Sequence, residues 1–182
     1  MAHWAIITAE DGATATGCAL AVIDALRGRG VRVGGFVQSR SREESGDRRE
    51  EIVHLQGGER AELATSKLTP KEAAEGCSMA FRAESFELAR RWLEEDAPRS
   101  QVLVVDSVAK LEAAGEGHGP ALLWALRLPE PLVVLFCARA GHLSQIVERF
   151  GLGEEMLAGL ELPASDEARD ELVRALAGAA AR

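Results

Sequence analysis

A three-layer α/β domain spanning residues 1–182, with a mostly parallel sheet of five or six strands and a β-hairpin insertion, is the fold class this sequence predicts. Three observations carry it. An apolar run, Trp4 to Ile7, breaks into small residues and then resumes as Cys18, Ala19, Val22, Ile23 and Leu26 at helical spacing. A second apolar segment, Val31 to Gln38, follows with no room for a hairpin, which implies a crossover between parallel strands. Later, Gln101-Val102-Leu103-Val104-Val105-Asp106 and Pro131 to Cys137 are continuous apolar runs, as strands covered on both faces require. With 182 residues, 47% of them hydrophobic, the chain has enough apolar material for one full core.

In chain order, the first helix is expected from about Thr16 to Arg27, capped by Thr14 or Thr16 and ended by Arg27-Gly28-Arg29-Gly30. Ser39 to Glu50 contains no apolar residue and reads as a solvated, mobile loop. Glu51 to Leu55 and Arg60 to Ala64 alternate around Gly57-Gly58, the pattern of a hairpin that interrupts the βα rhythm. Lys67 to Gly76 reads as a connection and Cys77 to Ala80 as a brief strand. Arg82 to Glu95 is an amphipathic helix with Phe86, Ala89, Trp92 and Leu93 on its apolar face. Helices are further expected over Pro120 to Leu128 and Ser144 to Phe150, and a short strand over Leu157 to Leu162. A terminal helix capped at Ser165-Asp166 buries Ala168, Leu172, Ala175, Leu176 and Ala179.

Composition excludes several classes. A net charge of -8 argues against a general nucleic-acid or anionic-membrane surface, which needs basic residues to release counterions. No apolar run approaches the roughly 20 residues of a membrane span, and the N-terminus lacks the pattern of a signal peptide, so a cytoplasmic location is expected. Cys18, Cys77 and Cys137 are far apart and form no zinc-ligand spacing with each other or with His3, His54, His118 or His142.

The chemistry concentrates at the end of the first strand. Thr8-Ala9-Glu10-Asp11-Gly12-Ala13-Thr14-Ala15-Thr16 has the strand, loop, helix syntax of a phosphate cradle, in which backbone N–H groups and a helix start face an anion. The usual Gly-Lys-Ser/Thr ending is absent. Set directly after the strand, the motif puts Ala15 at the lysine and Thr16 at the metal-binding hydroxyl; a second register pairs Gly12 with Gly17 and puts Cys18 at the lysine. Gly12, Ala13, Thr14, Ala15 and Thr16 are thus the candidate phosphate-binding residues. Asp106 ends the clearest strand at the sheet edge where ligands bind in open parallel sheets, so Thr16 and Asp106 are the candidate Mg²⁺ pair. Arg139 and His142 follow the next core strand and are candidates for phosphate or base contacts, or ordinary exposed loop residues. Lys110, four residues past Asp106, either reaches a phosphate from the opposite side or pairs with Glu112 or Glu116 at the surface.

These residues resemble a known family. Ile7-Thr8-Ala9-Glu10-Asp11-Gly12 is similar to the strand end and phosphate loop of the small, cancer-related nucleoside triphosphatases, and Asp106-Ser107-Val108-Ala109-Lys110-Leu111-Glu112 keeps the Asp, Lys and Glu of their second motif. A closer likeness is to a bacterial family of the same P-loop clan, often found near molybdate-transport genes. The shared segments are Gly12-Ala13-Thr14, Gly35-Phe36-Val37-Gln38, Gly76-Cys77-Ser78-Met79-Ala80, and Lys110-Leu111-Glu112-Ala113-Ala114-Gly115-Glu116-Gly117. The resemblance implies a nucleotide or phosphate-like anion as ligand, with Mg²⁺ alongside it. The departures from it, no loop lysine and Ser107 where the family has a water-orienting Glu, imply weak binding and little or no hydrolysis. A protein partner with a vestigial pocket, in a molybdenum-related setting, is the alternative. An active enzyme using Lys110 as its cation is a third.

Overall fold

The computed structural model describes residues 2–153 and 156–182. They form eight strands: β1 (His3–Ala9), β2 (Val33–Arg42), β3 (Arg48–His54), β4 (Arg60–Thr65), β5 (Ala80–Phe81), β6 (Val102–Val108), β7 (Val133–Arg139) and β8 (Met156–Glu161). The helices are α1 (Gly12–Gly28), α2 (Pro70–Ala74), α3 (Ala83–Asp96), α4 (Lys110–Ala113), α5 (Gly119–Leu126), α6 (Leu143–Phe150) and α7 (Asp166–Ala180). All the strands belong to one sheet, in the order β5-β4-β3-β2-β6-β7-β1-β8. From β2 to β8 every pairing is parallel, whereas β2-β3, β3-β4 and β4-β5 are antiparallel.

The parallel part follows from strand periodicity. Successive side chains point to opposite faces. Ala5, Ile7 and Ala9 of β1 join Val102, Val104, Val133, Leu135 and Cys137 beneath α1 and α7. Trp4 and Ile6 join Phe36, Leu103, Val105, Val134 and Phe136 beneath α3 and α5. Both faces are covered, giving the three layers expected and explaining the unbroken apolar runs.

The sheet has eight strands rather than five or six because the insertion is larger than a hairpin and extends the same sheet. The difference starts at Ser39 to Glu50. Instead of a solvated loop, these residues are strand on both sides of a short turn: Gln38 pairs with Ile52, Arg40 with Glu50, and Arg42 with Arg48. The turn contains Gly46 at φ +89°. Backbone ladder bonds hold a segment that has no apolar side chain, so hydrophobic periodicity cannot reveal it. β2 also changes partner along its length, pairing with β6 over Val33 to Phe36 and with β3 from Phe36 to Arg42.

Two further anchors fix β2. Gly35, at φ +98°, lies against the Val104 backbone so closely that a Cβ would collide with it. Its N–H donates to Asp96 Oδ2 at 2.7 Å, and the same carboxylate oxygen lies 3.0 Å from His54 Nε2. His54 stacks on Trp92 with ring centroids 4.9 Å apart. At the start of α1, helix begins at Gly12, four residues earlier than expected, because Asp11 rather than Thr14 or Thr16 caps it. Ser165 caps α7 as its sequence suggests, accepting from the Ala168 N–H. The strand expected over Leu157 to Leu162 is β8, lying parallel to β1 at the sheet edge. No helix among the described residues is long and apolar enough to cross a membrane.

Candidate functional site

The C-terminal ends of β1, β6 and β7 open on the same sheet edge, where open parallel sheets bind ligands. Asp106, fully buried near the end of β6, stands at its centre. Its Oδ2 accepts from the Thr16 hydroxyl at 2.7 Å and from the Gln38 N–H at 3.0 Å. Burial pushes the Asp106 carboxyl above its ordinary range; the bonds from Thr16 and Gln38 and the charge of Arg40 pull the other way. The two residues proposed from sequence as a metal pair, ninety positions apart, are therefore in direct contact.

They fit Mg²⁺ in kind. Both offer hard oxygens, and Asp106 Oδ1, itself buried, has no hydrogen-bond partner, as an oxygen left for a cation would. Ligands beyond these would be phosphate or water, since the described residues contain no group of three or more His, Cys, Asp or Glu placed to hold a metal.

A cation already stands against this pair. Arg40, on the C-terminal half of β2, donates through Nη1 to Thr16 Oγ1 at 3.1 Å and through Nη2 to Gln38 Oε1 at 2.7 Å and Ser107 Oγ at 3.3 Å. Its Nε lies 3.7 Å from Glu50 Oε1. The guanidinium also rests on the start of α1: a Cβ on Gly12 would come within 2.5 Å of Nη2. An alanine here would have to push the flexible guanidinium aside. Sequence reading missed Arg40 by placing it in a loop; the usable signal was strand alternation carried two residues past Gln38, which puts both side chains on one face.

Around Arg40 a cleft of about 360 Å³ is lined by Arg40, Arg42, Arg48, Arg49 and Arg139, against only two carboxylates, Asp11 and Glu50. Gly12 and Ala13 also line it. Arg49 is shared with Glu51 and Glu62, and Arg42 also donates to the Gly46 carbonyl. In a protein of net charge -8 this is a local reversal of sign.

The remaining candidates divide. Arg139 lines the cleft, and its charge helps hold the Asp11 carboxyl below the usual range, behind the larger effect of the Thr14 hydroxyl and N–H. Thr14 is exposed and bonded to Asp11 through both groups, at 2.6 and 2.8 Å, so an internal carboxylate occupies the helix start where a ligand oxygen was expected. Ala15 is buried in the core beneath α1, so the lysine position of the preferred register faces the sheet. His142 ends a short 3₁₀ turn, Ala140–His142, and does not line the cleft. Lys110 is exposed and makes no ion pair among the described residues. The surface pairing with Glu112 is ruled out by geometry: the buried Glu112 accepts from the Ala109 and His118 N–H groups, each at 2.8 Å, and pins the loop after β6.

His118, which the sequence marks only as lacking a zinc-ligand partner, lies beside the site. It is buried among Phe36 and Phe86, 4.6 and 4.8 Å between centroids, with Nε2 3.4 Å from the Gln38 amide nitrogen. Burial drives its pKa down to about 3, so it is neutral, and Gln38 separates it from Arg40. Neither His118 nor Glu112 faces the cleft as a base. Asp11 does, but its lowered pKa makes it a weak one.

A protein-family model described as NTPase matches residues 5–173. No curated protein matches the sequence. Among solved structures, the crystal structure of THEP1 from the hyperthermophile Aquifex aeolicus is similar with a TM-score of 0.65 at 16% identity, covering 100% of both chains. The solution structure of a human cancer-related nucleoside triphosphatase is similar with a TM-score of 0.65 at 21% identity, covering 94% of this chain and 93% of that one. At such identities the structures speak for the fold alone. The match over residues 5–173 goes further: the chain belongs to this NTPase family.

Proposed function

We propose that this protein binds a nucleotide at the edge formed by α1, β6 and β7 and hydrolyses it slowly or not at all. Family membership supports the nucleotide. The observation that carries the loss of hydrolysis is Ser107, which stands beside Asp106 where a water-orienting carboxylate is needed and whose hydroxyl is engaged by Arg40. Losing one such stabilising group typically costs about 10²- to 10³-fold in rate. The absent loop lysine compounds the loss, and Thr16 with Asp106 would hold Mg²⁺ when it accompanies a nucleotide.

The test combines calorimetric titration of the purified protein with ATP and GTP, each with magnesium, and phosphate-release assays. Binding with release far below ordinary NTPase rates is expected. Turnover at those rates, abolished by Asp106→Ala, would sink the inactive reading. Absence of binding by any nucleotide in a folded protein would instead favour a partner-binding role, in which setting the molybdate-linked likeness becomes the lead.

A further inference from the structure

We infer that the insertion supplies the cation missing from the phosphate loop: Arg40 grips a phosphoryl group at the start of α1, and the neighbouring arginines bind the rest of a polyphosphate chain. This rests on the nucleotide-binding reading above and specifies how the ligand is held.

Four observations converge. First, Arg40 presents its guanidinium to the hydroxyl that a metal would use, to Ser107 Oγ and to the Gly12 turn. A planar guanidinium offers two parallel donors to a phosphate, which a lysine cannot. Second, most of its present partners are neutral oxygens, with Glu50 no nearer than 3.7 Å. An incoming phosphate oxygen would replace the weak 3.3 Å contact with Ser107 by a charge-assisted bond.

Third, Arg42 and Arg48 stand directly opposite each other across the β2-β3 ladder. Like charges so placed destabilise a sheet unless an anion lies between or above them. Both line the same cleft as Arg40 and Arg139. Fourth, the cleft is wide enough for more than one phosphoryl group, and its lining carries five arginines against two carboxylates. The ligand class is therefore a chain of linked phosphates, whether borne by a nucleoside or free.

The decisive experiment is calorimetric titration of the whole protein with ATP, AMP and inorganic tripolyphosphate, each with magnesium and again with EDTA. ATP is expected to retain measurable binding in EDTA through the arginines, and AMP to bind about tenfold or more weakly than ATP. Arg40→Gln should weaken ATP binding by about tenfold or more, the loss of a charged hydrogen bond. Gly12→Ala should do the same by displacing the guanidinium while leaving β2 intact, which keeps the test sound should Arg40→Gln fail to fold. The Arg42→Gln, Arg48→Gln double variant should weaken ATP and tripolyphosphate and leave AMP within about twofold. Tripolyphosphate binding as tightly as ATP assigns the ligand to free polyphosphate; ATP binding tighter assigns it to a nucleotide, and either supports the arginine grip. Binding that vanishes in EDTA and ignores Arg40→Gln overturns the inference yet leaves the nucleotide-binding reading standing. No binding under any condition overturns both.

Discussion

The Thr16–Asp106 contact joins the first helix to the central strand through one proton, and a double-mutant cycle isolates it. Thr16→Val preserves shape and removes only the hydroxyl, which is buried and lies 2.7 Å from Asp106 Oδ2 and 2.8 Å from the Gly12 carbonyl. Removing one partner of a hydrogen bond to an ionised group costs about 1.5–3 kcal/mol. In an Asp106→Asn background the partner is neutral, and the same substitution should cost about 0.5–1.5 kcal/mol. The coupling energy is the difference, about 1 kcal/mol, well above the few tenths of a kcal/mol that independent sites show. Urea unfolding of the four proteins at pH 8 measures it. Additivity within about 0.5 kcal/mol would refute the argument that an ionised Asp106 is held by this hydroxyl.

Two other outcomes are expected. Because burial raises the folded Asp106 pKa above its reference of 3.8, the native state binds more protons than the unfolded state between those values. Stability should therefore fall as pH rises from about 4; Glu112, raised by the same cause, acts in the same direction. Asp106→Asn should flatten the slope of urea midpoints between pH 4 and 8, and parallel curves for the two proteins would contradict the assignment. Asp11→Asn keeps a good helix cap but removes the carboxylate that occupies the helix start. ATP affinity should rise by about two- to fivefold at low salt and by less at high salt; an unchanged or weaker affinity in a folded variant would show that no phosphate approaches α1.

What could be read from sequence, and what could not, divides along a physical line. β6 and β7 were legible because strands covered on both faces must be apolar throughout. Thr16 and Asp106 were legible because helix starts and strand ends fix where their side chains emerge. The outer half of β2 was not, since Ser39 to Arg42 owes its conformation to ladder bonds with Arg48 to Glu51 and carries no apolar signature. Arg40 was hidden with it. Asp11 lies outside the helix as expected from sequence, and the earlier helix start turns it into the cap. His118 offered no signal at all, its burial depending on Phe36 and Phe86 from two distant elements.

The change of partner along β2 has a mechanical consequence. Up to Phe36 the strand lies in the parallel sheet; beyond it the strand projects with β3 as its ladder partner, tied back by Gln38 N–H to Asp106 and by Arg40 to Thr16 and Ser107. At about 3.3 Å per residue, Arg40 sits roughly 13 Å out along this extension. The pairing of β2 with β3 therefore sets where the guanidinium lies relative to the first helix, while the inner end of the strand is fixed through Gly35 and Asp96. A lysine in the loop would move with the loop. A guanidinium on the sheet extension is placed from outside that loop, by the ladder that pairs Arg40 with Glu50.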